Sequence, residues 1–227
     1  MIRLLYVLMI LFTLQSCSKS EDNSLQISTL SDIDGNQYNA VKIGSQIWMQ
    51  QNLNVSHYRN GDPIPNVQDP VQWYNLTTGA WCYYENQTSN GTVYGKLYNW
   101  HAINDPRGFT PEGWHIPTKN EVDILRSFLD NGENAGYKMK STTNDWLSPS
   151  TGSDNSSGFT GLPAGYRSND GGFYSSKGSV AIFWGENPDS QTSQDKYNYT
   201  LLSNFTNLYN SSSIKEMGYS VRCVKNY

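Results

Sequence analysis

The sequence predicts an α+β domain of short strands, long loops and few helices, on three observations. Apolar residues come in short runs separated by clusters of Gly, Pro, Asn and Ser, the pattern of short strands joined by loops. One segment alone, near residues 118–132, combines a helical period with clear start and stop signals. The composition is poor in charge (16%) and rich in aromatics (13%, with 16 Tyr and 7 Trp), so rings rather than ion pairs must carry much of the packing.

The N-terminus reads as an export signal. Met1-Ile2-Arg3 supplies one positive charge, and Leu4 to Leu14 are almost wholly apolar. That layout is secretory, and the stretch falls short of the roughly 20 apolar residues a membrane span needs. Leu14-Gln15-Ser16-Cys17 resembles a lipobox, which predicts cleavage after residue 16 and acylation of Cys17. The other reading, an ordinary signal with an incidental cysteine, finds no better cut site in the first 30 residues. Ser18-Lys19-Ser20-Glu21-Asp22 resembles the surface-export tag of Bacteroidota lipoproteins. The expected layout is a signal over 1–16, a lipidated polar tether over 17–31 and a domain over 32–227. The expected address is the outer membrane, lipid-anchored and facing the cell exterior, with the membrane itself as a partner.

Without the signal, 15 basic side chains stand against 20 acidic ones, a net charge of −5. A mildly acidic chain without clustered Lys and Arg argues against nucleic acid. With Cys17 assigned to lipid, Cys82 and Cys223 remain, and two cysteines in an exported chain most simply form a disulfide. Redox or metal chemistry is the alternative, but there is no Cys-x-x-Cys and no histidine near either cysteine in sequence.

Along the domain, Asp32-Ile33-Asp34-Gly35-Asn36 looks like the start of a calcium loop but lacks the closing ligands, and reads as a turn. Tyr38, Val41 and Ile43, then Gly44-Ser45, then Gln46-Ile47-Trp48-Met49 predict a hairpin. Residues 59–80 read as loop, Trp81–Tyr84 as a short strand, and Leu97, Trp100, Ala102 and Ile103 as at least one helical turn. Thr118-x-x-Glu121 is a capping box. It opens a helix with Val122, Leu125, Phe128 and Leu129 on its apolar face, stopped by Asp130-Asn131-Gly132. Phe159–Pro163, Gly165–Arg167, Phe173-Tyr174 and Val180–Trp184 read as short strands, and 185–200 as a polar loop. Gly218–Val224 reads as a closing strand with Tyr219, Val221 and Cys223 on one face.

Catalytic groups are not marked. His57, His101 and His115 have no spacing suited to a metal, and neither a nucleophile elbow nor a phosphate loop occurs. His115 reads as holding the turn before the helix, and Glu121 as its cap. Trp184, Glu186 and Asp189 form a candidate ligand-binding set, in a loop suited to a sugar or calcium; its plainer reading is a solvated loop. No cofactor is expected, and calcium has no motif to hold it.

Taken together, several segments resemble one family: Gly35-Asn36-x-Tyr38, Lys42-Ile43-Gly44-x-Gln46-x-Trp48-Met49, Asn52-Leu53, Gly95-x-Leu97-Tyr98-x-Trp100, Gly113-Trp114-His115-Ile116-Pro117-Thr118, Gly158-Phe159, Pro163–Arg167, Phe183-Trp184 and Gly218–Val224. This is the Fibrobacter succinogenes major paralogous domain, and the resemblance runs from about residue 32 to 226. It implies a fold like formylglycine-generating enzymes and C-type lectins. The reactive cysteine pair of those enzymes is not reproduced by Cys82 and Cys223, and the sugar-calcium triplets of lectins are absent. The expectation is a non-catalytic binding or adhesion module for a glycan or protein. A structural envelope or fimbria-like role, and an enzyme related to formylglycine-generating enzymes, are the alternatives.

The lipid assignment is directly testable. Cells expressing the full chain and fed an alkyne fatty acid should label it, and Cys17→Ser should abolish the label and leave uncleaved precursor. Label persisting in Cys17→Ser would overturn the assignment.

Overall fold

The computed structural model describes residues 29–130, 133–148, 150–186 and 194–226. The segments expected as export signal and tether, with Cys17, lie outside them except for residues 29–31. Among the described residues no helix is long and apolar enough to cross a membrane. The architecture is α+β, with short helices and mostly antiparallel sheets.

The chain opens with β1 (Thr29–Ser31), β2 (Gln37–Ile43) and β3 (Gln46–Met49). Gly44, at φ +61, and Ser45 close the β2–β3 hairpin, where Ile43 faces Gln46. The Asp32 carboxylate organises the turn before β2, accepting from Asp34 N, Asn36 N and the Tyr38 hydroxyl. The segment read as loop holds one short helix, α1 (Pro70–Tyr74), capped by the Asp69 side chain. Next come β4 (Trp81–Cys82), α2 (Thr88–Tyr94) and β5 (Leu97–Tyr98), β5 pairing with β4. The helical turn expected from Leu97 starts later, as α3 (Trp100–Ile103), because the Asn99 side chain caps it by accepting from Ala102 N at 3.0 Å.

Beyond β6 (Trp114–His115) lies α4 (Lys119–Asp130). Its capping box is formed: Thr118 Oγ1 accepts from Glu121 N at 3.2 Å, and Glu121 Oε2 accepts from Thr118 N at 2.8 Å. Val122, Leu125 and Leu129 are buried as expected, but Phe128 is 63% exposed. Its ring lies off the 122/125/129 stripe, against Gly44, whose absent Cβ would sit 3.0 Å from it. After α5 (Ala135–Met139) the chain reaches β7 (Val180–Trp184), β8 (Asp195–Leu202) and β9 (Tyr209–Ile214), and it ends in β10 (Val224–Lys225). The strands expected over 159–167 are single bridges at Gly161, Gly165 and Arg167, and at Phe173-Tyr174 no strand forms, Tyr174 and Ser175 making a turn. The second half of the expected 185–200 loop is instead β8, central in the β7-β8-β9 sheet. Lys196 and Asn198 are buried on one face of it and Tyr197, Tyr199 and Leu201 on the other, so its polar residues do not mark exposure.

The largest described sheet has the order β1-β2-β3-β10-β6 and separates two cores. Tyr38, Ala40, Met49 and Cys223 join one, and Val41, Ile43, Trp48 and Val224 join the other. Residues 218–224 are all buried, on both faces rather than one. They form a thread through the molecule: Gly218 pairs with Arg167, Tyr219 with Tyr98, and Ser220 with Ile182 and Trp184. Further along, the Val221 and Cys223 carbonyls accept from Leu53 N and Met49 N.

The expected Cys82–Cys223 disulfide is not formed: both thiols are free and buried. The reason is placement. Cys82 packs with Trp73, Ala80, Tyr84 and Leu97, and Cys223 belongs to the separate cluster with Tyr38 and Met49. Burial pushes both thiols up, Cys82 to about 12, so neither is a ready thiolate.

Arg222 holds the thread in place. Fully buried, its guanidinium donates to Asn52 Oδ1 (3.1 and 2.8 Å) and to the Met49 (3.1 Å) and Phe159 (2.5 Å) carbonyls. It lies 4.4 Å from the Phe159 ring centroid. Arg222→Met strands those acceptors, each costing roughly 1–3 kcal/mol, so the expected loss is about 3–5 kcal/mol in denaturant unfolding. Arg222→Lys should recover only part of it, lacking the planar fork. A loss below about 1 kcal/mol for Arg222→Met would contradict the role.

Candidate functional site

A cleft of about 400 Å³ is lined by the loop at Thr77–Gly79, by Trp100 and His101 of α3, by Asn104–Arg107, by Glu186, by Lys196 and Tyr197 of β8, and by Lys215. Each lining side chain has a local support. The Trp100 ring meets Trp184 at 5.4 Å, edge to face, and its backbone N–H donates to the Lys215 carbonyl at 2.9 Å, tying α3 to the turn after β9. Lys196 lies with its Nζ 5.9 Å from the Trp100 ring centroid. His101 Nε2 is buried, has no hydrogen-bond partner, and sits 3.9 Å from Glu216 Oε1. Burial lowers the His101 pKa, the Lys215 charge lowers it further, and Glu216 opposes both. The ring is therefore neutral at pH 7, with one nitrogen able to donate and the other to accept.

At the far wall Arg107 is fixed by Asp105, Nε to Oδ1 and Nη2 to Oδ2 both at 2.8 Å, and by Asp62 at 3.0 Å. It also covers the Tyr58 ring at 3.9 Å. Those bonds hold the Asp105 carboxyl below its ordinary value. Asp105 is thus a clamped charge rather than a free base.

The expected ligand set divides. Glu186 lines the cleft, held by backbone bonds of its carbonyl to Lys119 N (2.7 Å) and of its N–H to the Pro117 carbonyl (2.8 Å). Loss of solvent pushes its carboxyl up, and the Glu121 charge adds to that. Trp184 does not line the cleft: it is fully buried, donates from Nε1 to the Tyr98 carbonyl at 2.8 Å, and backs Trp100 from inside. Asp189 lies outside the described residues, as does Cys17. Trp100, His101, Lys196 and Lys215 come together only in the fold; the sequence holds them in three distant segments with no shared motif. Among the described residues no group of three or more His, Cys, Asp and Glu side chains is placed to hold a metal ion.

Two other polar clusters are structural in their contacts. Lys96, buried, donates to the Asn54 carbonyl and to Ser56 Oγ (3.0 Å) and lies 4.4 Å from the Trp81 ring centroid. Burial brings it down to about 8, against the pull of Asp34 and Asp32. His115 joins α4 to the C-terminus, with Nε2 2.9 Å from Glu121 Oε1 and Nδ1 2.7 Å from Asn226 Oδ1. The Glu121 bond raises the His115 pKa. Burial pushes Glu121 up, but the bonds from His115 and Thr118 outweigh it and leave it lowered.

The sequence profile described as the Fibrobacter succinogenes major domain matches residues 41–225. No curated protein and no solved structure matches the chain.

The His115–Glu121 pair sets a pH dependence. The raised histidine contributes stability below its ordinary pKa, lost as pH rises through the raised value. The lowered carboxyl contributes above its ordinary pKa, lost as pH falls through the lowered value. Both act between about pH 4.3 and 6.5. The unfolding free-energy gap between the native chain and His115→Phe should be widest near pH 5.5 and narrow by pH 9, by under about 1 kcal/mol because the pair is partly exposed. A gap independent of pH would contradict an ion pair.

Proposed function

This chain belongs to the Fibrobacter succinogenes major domain family, and we propose that it works as a lipid-anchored, surface-exposed binding or adhesion module of the outer membrane, without catalysis, for a glycan or a protein ligand. The observation that carries this reading is the cleft between α3 and the β7-β8-β9 sheet. Its volume, about 400 Å³, is within the range of small-molecule sites, and its lining pairs an aromatic edge with many hydrogen-bonding groups. The walls come from loops and strand ends on rigid sheets, where recognition surfaces are commonly built. A C-type-lectin-like fold is the finer architecture we propose, on the short antiparallel strands, the single long helix and the long connections.

The enzyme reading is weaker on chemistry. An oxidase related to formylglycine-generating enzymes needs two cysteines acting together, whereas Cys82 and Cys223 occupy separate apolar clusters with raised thiols. Of the carboxylates around the cleft, Asp105 is clamped by Arg107. A structural envelope role has no feature of its own to favour it.

The test uses the full chain in detergent, screened on a glycan array and cross-linked on intact cells. The expected result is retention of at least one polysaccharide class or envelope protein, without product formation. His101→Ala should weaken that binding about tenfold, the worth of one well-made hydrogen bond. Absence of any glycan or protein partner, or turnover of a bound compound, would overturn the reading.

A further inference from the structure

We infer that the outer edge of β9 is a self-association surface, on which a second copy of this chain adds its own β9, antiparallel, about a two-fold axis at Ser212. The inference is independent of what the cleft binds.

Among the described residues β9 pairs on one side only, with β8, and forms one edge of the β7-β8-β9 sheet. The ladder determines which backbone groups it leaves open. In an antiparallel pair, facing residues exchange both N–H···O bonds at alternate positions. Gly185 N donates to the Tyr197 carbonyl at 3.1 Å, and Ser203 N to the Ser179 carbonyl at 2.9 Å, so Tyr197, Tyr199 and Leu201 bond toward β7. Lys196, Asn198 and Thr200 therefore bond through their backbone toward β9, to Ser213, Ser211 and Tyr209. That leaves Asn210, Ser212 and Ile214 with N–H and C=O groups directed away from the sheet. One of these groups is taken, the Ile214 carbonyl, which accepts from Met217 N at 3.3 Å. The opposite edge of the sheet is closed. Trp184 N donates to the Ser220 carbonyl (3.1 Å), Ser220 N to the Ile182 carbonyl (3.1 Å) and Gly165 N to the Val180 carbonyl (2.9 Å).

An open edge is a template for another strand, and folded proteins blunt it with Lys, Pro, a bulge or a covering segment. The strand Tyr209–Ile214 contains neither Lys nor Pro, and its register with β8 runs unbroken. Ser211, Ser212 and Ile214 are exposed. The occupant follows from symmetry. A two-fold axis normal to a sheet sets residues an even number of positions apart opposite each other. Centred on Ser212, it sets Asn210 against the second copy's Ile214 and Ser212 against its own counterpart, so every outward residue meets an outward residue. Any slip along the strand leaves one of them without a partner. No charge lies in β9 to repel its copy. The carboxylate that touches the strand, Asp123 on Asn210, is held by Lys119 and Arg126, each at 2.6 Å. This self-matching selects a second copy over an unrelated strand.

The experiment is oxidative cross-linking on cells expressing the full chain, read on non-reducing gels. At the axis the two Ser212 Cα atoms would lie about 5.5 Å apart, within disulfide reach. Ser212→Cys should therefore give about tenfold more covalent dimer than Asn120→Cys, an exposed control on α4. The register is read by chains carrying Ser211→Cys and Ser213→Cys, whose positions face each other across the axis: co-expressed, they should join far more than Ser211→Cys alone. Adding Ser212→Pro to both chains removes an outward N–H without touching the ladder to β8, and should abolish their joining at an unchanged melting temperature. Ser212→Lys, which keeps every backbone bond and sets two like charges on the axis, should do the same. Dimer no greater than the Asn120→Cys control overturns the surface, as does joining of Ser212→Cys to a different protein instead. Equal joining by Ser211→Cys alone overturns the register, and joining that survives both Ser212→Pro and Ser212→Lys overturns the strand pairing.

Discussion

The structure depends on one buried cation that has no acid for a partner among the described residues. Arg222 sits in the interior, where an ammonium or guanidinium group is costly unless its donors are met. Carbonyl oxygens and one amide oxygen meet them: Met49, Phe159 and Asn52. Those three residues belong to the end of the first hairpin, the segment after it and the long central loop. One side chain therefore fixes their mutual positions, and with them the entry of the C-terminal thread. Burial lowers the Arg222 pKa to about 10, still well above neutrality, so the charge persists.

The same solution recurs elsewhere. Arg167 donates to the Val67, Gln68 and Gly171 carbonyls and lies over Trp73. Lys140 donates to the carbonyls of Leu202, Ser203 and Phe205 and to Thr151 Oγ1. Long loops expose many backbone carbonyls that no sheet or helix pairs. In a loop-heavy domain, buried cations act as multi-toothed donors that collect these orphans, and aromatic faces cover the rest of the charge. The high aromatic and low charged content of the chain then has a structural meaning: rings and backbone oxygens do the work that carboxylates do in other proteins.

This logic explains which parts were legible in the sequence. The β2–β3 hairpin and α4 were, because alternation, a two-residue turn and a capping box are local signals. β8 was not, because Lys196, Asn198 and Thr200 read as loop polarity while the strand is central in its sheet. The short helices α1, α2 and α5 were missed because none exceeds seven residues, too few for a period to show. Spacing alone places Phe128 in the core, but the stripe that docks is narrower than the period allows. Of the expected ligand set, Glu186 lines the cleft and Trp184 is buried behind it, since an apolar strand end next to a polar loop does not reveal which side faces solvent. The cysteines mislead for a related reason: two thiols in a chain read as exported suggest a bond, but pairing is a property of placement.

The cleft inherits its rigidity from the thread. Ser220 joins β7 by accepting from Trp184 N at 3.1 Å, and Tyr219 bonds in both directions to Tyr98. Trp184 in turn donates to the Tyr98 carbonyl and supports Trp100, whose own N–H is held by Lys215. A chain of short contacts thus runs from the buried arginine to the aromatic wall and the lysine at its edge. Positions so constrained lose little side-chain freedom when a ligand arrives, which lowers the cost of binding. It also separates stability from specificity. The residues that hold the cleft together are buried and bonded to backbone, while those that face its space, His101, Asn104, Lys196 and Lys215, could change without disturbing the thread. A fold arranged in that way can keep one scaffold and vary the chemistry it presents.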